Sequence, residues 1–278
     1  MALDLSAVGK ELPPATYEYT DRDVILYALG VGATARDLAF VYERGGLLAL
    51  PTFGVVPAFS ALTSLGTVLE FNPLSLLHGE QRIELHGQIP TSGVLTTQGR
   101  ITGIYDKRRG ALVVIDADTK DAEGRTLVTN RFGAFILGEG GFGGVRDPNA
   151  SKQHVLPTRP PDYTMAYKTS QNQAVLYRLS GDLNPLHIDP GFAKLAGFER
   201  PILHGLCTFG HVGCAVLHAC CGGDPSRLKI LEARFSGEVY PGETIITDIW
   251  QDGSTAILQA RTEERDKVVI SNAAATIA

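Results

Sequence analysis

Hydrophobic patterning divides this chain into two lengths of similar design. The densest apolar stretch, GLCTFGHVGCAVLHACC (205–221), is hydrophobic on all sides of a helix, the pattern of an element buried in a core. It falls short of the ~20 residues that a membrane span needs. Four runs with apolar and polar residues in near alternation follow it: Leu228–Val239, Glu243–Gln251, Thr255–Glu263 and Lys267–Ile277. PGE, DG and ERD turns separate them, so they predict antiparallel strands. The first half opens on Thr20-Asp-Arg-Asp, an N-cap oxygen with carboxylates in the first turn, followed by apolar Val24 to Leu29. Its own apolar stretch, LPTFGVVPAFSALTSLG (50–66), is interrupted by Pro57 and rich in small residues, which makes it too irregular for a second long helix. Thr102–Asp118 then returns to strand-like alternation.

The two lengths are related. DVILYALGVG (23–32) aligns with QAVLYRLSGD (173–182) at a displacement of 150 residues. The same displacement carries Leu85 onto Phe235 and Gly87 onto Gly237, and Leu127–Asn130 echoes Val269–Asn272 at a slightly shorter one. Matches kept in one order argue for duplication. Each repeat predicts a helical start, an apolar helix and several antiparallel strands. The division expected is 1–150 and 151–278, joined through a Gly- and Pro-rich connection from Gly138 to Pro161. Within that connection GGFGG lacks the strand–loop–helix frame of a nucleotide loop.

Composition narrows the function classes. The 278 residues are 44% hydrophobic and 20% charged with a net charge of −5, an ordinary globular balance that favours neither nucleic acid nor an anionic membrane as partner. MALDLSAVGKELPP lacks the basic start and apolar core of a secretory signal, and AAATIA is not the S-K-L type of peroxisomal address. All four cysteines, Cys207, Cys214, Cys220 and Cys221, fall in the apolar helix, which suits a core under reducing conditions better than a disulfide framework.

The chemistry concentrates in YRLSGDLNPLHIDPGFAKLAGFERPILHGLCTFG (177–210). Asp182, Asn184 and His187 lie within six residues, on a segment that Gly181, Pro185 and Pro190 keep out of regular helix and strand. A carboxylate and an imidazole so close are suited to proton transfer. Pro201-Ile-Leu-His-Gly205 then begins the apolar helix, and Gly205 offers a free N–H where an oxyanion can sit. Loop bracing is the bland alternative for the Asp, Asn and His set. His204, Cys207, His211, Cys214 and His218 share one helical stripe, yet a straight helix gives one metal at most two of them, and a core stripe is the simpler reading. No metal site is expected. The first half has Gly32 where the second has Asp182, and nothing replaces His187.

YRLSGDLNPLHIDPGFA and the downstream HGLC closely resemble the signature of the MaoC-like enoyl-CoA hydratases, the hydratase 2 family, and TDRDVILYALGVG, LPTFGV, LLHGEQ, GGFGG and VYPGE extend the resemblance over nearly the whole chain. It implies an α+β, double hot-dog fold, two central helices each wrapped by an antiparallel sheet. It implies reversible hydration of trans-2-enoyl-CoA to (3R)-3-hydroxyacyl-CoA in β-oxidation-type metabolism. Asp182, Asn184, His187 and Gly205 would be the catalytic set, and His78, Gly79, Lys107 and Phe235 the substrate-binding one. Glu43, in a family-like VYE context, is a second-tier candidate. The substrate would be a fatty acyl-CoA thioester, with no cofactor beyond the CoA it carries, no nucleic acid and no membrane. A homodimer inside the cell, in the peroxisomal matrix or the cytoplasm, is expected. The first half, freed from chemistry, would hold the acyl tail, with Ala58 and Ala61 making room. A hot-dog thioesterase or acyl dehydratase is the alternative enzyme, and an acyl-CoA- or lipid-binding module the non-enzymatic one. Hydration without thiol release selects the hydratase, thiol release the thioesterase, and silence from both the binding module.

Overall fold

The computed structural model describes residues 3–145, 147–148 and 154–278, and the expected boundary at residue 150 lies outside them. The first length comprises β1 (Ala15–Tyr19), α1 (Asp21–Gly30), α2 (Leu38–Val41), α3 (Val55–Thr63), β2 (Leu76–Leu85), β3 (Gly93–Asp106), β4 (Gly110–Lys120) and β5 (Thr126–Leu137). The second comprises β6 (Tyr163–Lys168), α4 (Gln173–Tyr177), α5 (Pro190–Leu195), α6 (Gly205–Cys220), β7 (Leu228–Phe235), β8 (Thr244–Asp252), β9 (Thr255–Thr262) and β10 (Val268–Ile277). All ten strands join one antiparallel sheet in the order β1-β3-β4-β5-β2-β7-β10-β9-β8-β6. Outward from the central β2–β7 pair, the two sides repeat the same sequence of strands. This is the double hot-dog expected, and the four strands predicted in the second half begin and end within a few residues of β7 to β10.

Local chemistry sets the element ends. Thr20 caps α1, its N–H donating to Asp23 Oδ2 at 2.8 Å. The two central helices differ as their sequences imply. α6 runs sixteen residues with every side chain from Leu206 to Leu217 buried, and its larger apolar side chains contribute roughly 1.5–3 kcal/mol each. α3 has only nine residues, between 3-10 turns at Pro51–Gly54 and Ser64–Thr67. Asn130 in β5 pins its start, donating from Nδ2 to the Gly54 carbonyl at 3.0 Å. The chain from Gly138 to Pro161 forms no helix or strand among its described residues. Its glycines hold no phosphate-like cradle open: the Gly141 and Gly143 N–H groups donate to Asp106 at 2.9 and 2.6 Å.

The helices approach closely because α6 carries glycines on the face toward the first half. A Cβ at Gly210 would stand 2.4 Å from Val31 Cγ1, and one at Gly213 would stand 2.5 Å from Thr52 Cγ2. Gly32, in the left-handed region at φ 97°, lies where a Cβ would meet the His211 ring at 2.9 Å. In conformation it matches Gly181 (φ 115°), which ends the helical turn of the second half. The repeat thus slips by one residue here, and Ala33 rather than Gly32 is the conformational counterpart of Asp182.

Gly210→Ala sets two effects against each other. Helix propensity favours alanine by about 1 kcal/mol, whereas overpacking typically costs about 1–3 kcal/mol. The backbone-anchored clash wins, so thermal unfolding should show a lower midpoint for the variant, and a higher one would mean that the helix spacing is soft.

Candidate active site

The segment between α4 and α6 cannot continue as helix, since Gly181 is left-handed and prolines follow at 185 and 190. It is instead held by its own side chains. Asp182 Oδ1 accepts the Asn184 N–H at 3.1 Å, and Asn184 Oδ1 accepts the Leu186 N–H at 3.0 Å. Asn184 therefore keeps its amide NH2 group to offer a ligand. His187 lies at the end of the following 3-10 turn, buried, with Nδ1 donating to the Ile202 carbonyl at 2.9 Å. Because a carbonyl only accepts, Nε2 keeps its lone pair. His204, fully buried, stacks on His187 with ring centroids 3.8 Å apart and 29° between planes.

Asp182, Asn184, His187 and Gly205 line one cavity of about 590 Å³ together with His78, Gly79, Lys107 and Phe235, so the fold brings all eight residues singled out in the sequence to a single space. Gly205 is the first residue of α6, and its N–H has no acceptor within the helix. A Cβ there would approach the Phe235 ring at 3.3 Å, which gives the glycine a steric reason as well as an electrostatic one. His78 packs edge-on against Phe235 at 5.0 Å and donates from Nε2 to the Glu80 carbonyl at 3.1 Å. Gly79 occupies an irregularity in the β2–β5 register between His78 and Glu80. Lys107, in the β3–β4 turn, pairs with Asp147 at 3.2 Å. Glu43 is exposed in a separate 3-10 turn and does not line the cavity.

Burial governs the electrostatics. It pushes the Asp182 carboxyl up from its ordinary 3.8 and the His187 imidazole down from 6.5, so both are drawn toward their neutral forms. Burial also lowers His78 to about 4 and, with the His187 charge, His204 to about 2.

The helical Cys and His stripe disperses to different partners. Cys207 and Cys214 donate to the carbonyls of Gly30 (3.2 Å) and Val31 (3.7 Å), while His218 meets the Tyr167 hydroxyl at 2.7 Å and Asp37 at 3.3 Å. Among the described residues, the group whose atoms come close enough to hold a metal is Asp182, His187 and His204, within 4.8 Å of one another. Both rings already commit one nitrogen to a carbonyl and lie face to face, which suits proton transfer better than a tetrahedral ligand set. His204 is the residue that sequence reasoning misplaced. It was grouped with the stripe by its helical spacing, and only its position directly before Gly205 hinted otherwise. The cavity also takes Glu80, which lies in the LLHGEQ motif, and Arg234, which no motif marks; the two pair at 2.8 Å across β2 and β7.

Acid/base groups at the N-terminus of a buried helix, in a two-repeat hot-dog sheet with a deep apolar cavity, define the MaoC-like class of double hot-dog proteins. Residues 17–138 match the family described as MFE-2 hydratase 2 N-terminal domain, and residues 152–273 match the MaoC like domain. A probable enoyl-CoA hydratase 2 of Dictyostelium discoideum is 43% identical over 100% of this chain and 97% of that protein. Peroxisomal multifunctional enzyme type 2 of mouse is 46% identical over 97% of this chain, which spans 38% of that longer protein. The crystal structure of a MaoC-like dehydratase from Phytophthora capsici superposes with a TM-score of 0.90 at 34% identity, covering 99% of this chain and 98% of that one. The chain belongs to the MaoC-like hydratase 2 family.

The buried histidines generate a pH dependence of stability. His204 and His211 are held down to about 2 and about 4 by burial, against an ordinary 6.5. Below about pH 6.5 the unfolded chain binds protons that the folded chain refuses, so stability falls as pH drops. The loss continues to about pH 4 for His211 and lower for His204, at about 1.4 kcal/mol per pH unit for each group inside its window. Urea unfolding should therefore give a lower midpoint at pH 5 than at pH 7, and an unchanged or higher midpoint would contradict the neutral assignment.

Proposed function

We propose that this chain catalyses the reversible hydration of a trans-2-enoyl-CoA to the (3R)-3-hydroxyacyl-CoA. The observation that carries the reading is the convergence of Asp182, His187 and the Gly205 N–H at one end of an apolar cavity. Water held between the carboxyl and His187 Nε2 faces C3 of a substrate whose thioester oxygen receives the Gly205 N–H. One proton leaves that water and one reaches C2, so that OH and H add across the double bond. Asp182 and His187 divide the two transfers and titrate as a pair. Asn184 orients the water or the carboxyl through its amide. The Gly205 N–H and the α6 terminus stabilise the enolate oxygen, and loss of such a donor typically costs about 3–4 kcal/mol. This chemistry asks for neither a metal nor a redox cofactor. The relatives named for enoyl-CoA hydration and peroxisomal enzymes support the same substrate class and an intracellular site, and a homodimer belongs to the same reading.

His78, Gly79, Lys107 and Phe235 bind the acyl-CoA, and the tail runs toward the first half. The small residues expected to make room do not do so: Ala58 and Ala61 are buried in the core packed on β3 and β4, 0% and 2% exposed. Phe59 and Leu62, each one residue further along α3, line the cavity with Leu76, Leu112 and Phe135. The space comes from a short central helix, not from small side chains on it.

Incubation with crotonyl-CoA and decenoyl-CoA should show loss of enoyl absorbance without free thiol, giving the 3R product. Thiol release would select a thioesterase, and silence from both signals a binding module. Asp182→Ala and His187→Ala should each lower turnover by about 10²–10⁴-fold while the protein stays folded. Leu62→Trp should depress turnover of decenoyl-CoA much more than that of crotonyl-CoA, since each lost methylene contact is worth about 0.8 kcal/mol. Equal losses on the two substrates would remove α3 from the tail site.

A further inference from the structure

His204 touches both halves of the acid/base pair. Its Nε2 donates to the carbonyl of Asp182 at 3.1 Å, and its ring lies flat on His187. Its other face contacts Tyr177, at a centroid distance of 4.9 Å, and its own carbonyl accepts the N–H groups of Cys207 (3.1 Å) and Thr208 (3.2 Å) in the first turn of α6. The side chain is fully buried, and its Nδ1 is a buried atom without a hydrogen-bond partner among the described residues. A buried imidazole used only to fill space would be replaced without loss by an apolar ring. Here one nitrogen is spent on the backbone of the residue that carries the carboxyl, and the ring face is spent on the other member of the pair.

We propose that His204 is a positioning residue for the hydration: a buried, stacked imidazole that sets the distance between Asp182 and His187 and keeps water away from the covered face of the His187 ring. The idea rests on the hydratase reading of the site. Its physics is direct. The segment 181–189 has little regular secondary structure to hold it, so the carboxyl and the imidazole need a common anchor. α6 supplies that anchor, since His204 is its N-cap and cannot move without the buried helix. The titratable groups that bear on the pair are Asp182, Arg178 and Tyr177, and none of them can substitute for a flat neutral ring stacked at 3.8 Å. A cationic His204 would repel His187 when His187 takes a proton, and its burial forbids that charge.

Two variants separate the two contacts. His204→Phe keeps a stacked ring and loses the hydrogen bond to Asp182. His204→Gln keeps a donor and loses the ring. The wild-type chain is assayed first on crotonyl-CoA, because absence of hydration there sinks the functional reading itself. With a hydrating wild type, His204→Phe should lower kcat on the order of 10²-fold at nearly unchanged KM, as a displaced catalytic group does, while the acid limb of its pH–rate profile stays in place. His204→Gln should lower kcat and also move the acid limb upward, as water reaching the uncovered face returns His187 toward its ordinary 6.5. Variants that lose only thermal stability, with wild-type kcat and profile in the folded fraction, overturn the proposal. Nitrogen-15 NMR of the imidazoles in the wild type stands independently of any variant. His204 should remain neutral with the proton on Nε2 down to pH 5, and His187 should carry its proton on Nδ1 when neutral. Titration of His204 near 6.5, or the opposite tautomer at either ring, overturns it as well.

Discussion

The site depends on where one buried helix begins. α6 is surrounded by sheet and by the first repeat, so its axis cannot shift without breaking the core. Its first residue is fixed from both sides. The Leu203 N–H donates to the Val239 carbonyl at 2.7 Å, and a Cβ at 205 would press on the Phe235 ring at 3.3 Å. The unsatisfied amide at that terminus is therefore held at a defined point on the cavity wall. The acid/base loop is then measured from the same point, through Ile202, whose carbonyl takes the His187 Nδ1–H, and through His204. On the proposed reading, an oxyanion donor and a proton-transfer pair positioned by five consecutive residues, 201–205, share one frame of reference.

Duplication lets the two repeats divide opposing demands. A catalytic loop needs a rigid backing, which the long α6 gives. An acyl tail needs volume, which a long helix would fill. On the proposed reading, the first repeat meets the second demand with a shorter α3 whose ends relax into 3-10 turns around Pro51 and Ser64. The start of α3, Val55 and Val56, belongs to the core around α6, while Ala58, Ala61 and Leu62 pack in a second cluster with β3, β4 and β5. Gly210 and Gly213 keep the two systems in contact by letting α6 lie against Val31 and Thr52.

Much of this was legible because the informative signals are short-range. Asp182, Asn184 and His187 are close in sequence, β8, β9 and β10 are hairpin-connected, and the breakers Gly181 and Pro185 act on their own neighbours. Signals failed where the answer depended on rotation about an element. The sequence of α3 shows small residues at 58 and 61 but not the phase of a nine-residue helix flanked by tighter turns, so the cavity-facing positions were displaced onto Phe59 and Leu62. Spacing put His204 on a stripe with Cys207 and His211, although as an N-cap it leaves the helical path and turns toward the loop. The echo between Asn130 and Asn272 marks equivalent strands, β5 and β10, but not equivalent partners. Asn130 points inward to Gly54, whereas Asn272, left-handed at a register shift in β10, accepts the His154 N–H of the connecting segment.

Burial sorts charge around the site. His78, His187 and His204 are all pushed down by burial and so stand uncharged near neutral pH. The cavity lining also carries charged side chains, Lys107, the Glu80–Arg234 pair and Glu238. A neutral interior keeps the local dielectric low, which strengthens the interaction of the Gly205 N–H with developing negative charge. It also lets an apolar tail enter without desolvating an ion. The polyphosphate end of a CoA carrier needs the opposite environment, and an acidic chain supplies it only locally. Arg108 is held in the left-handed region at φ 65° by the hydrogen bond from its N–H to Asp106 at 2.6 Å, and it stands exposed beside Arg109 in the same turn as Lys107. Asp106 is meanwhile occupied by three backbone amides, those of Arg108, Gly141 and Gly143, which hold its carboxyl below the usual range and keep the glycine-rich segment folded against the turn. Through this contact the glycine-rich stretch fixes the cationic turn whose Lys107 lines the cavity.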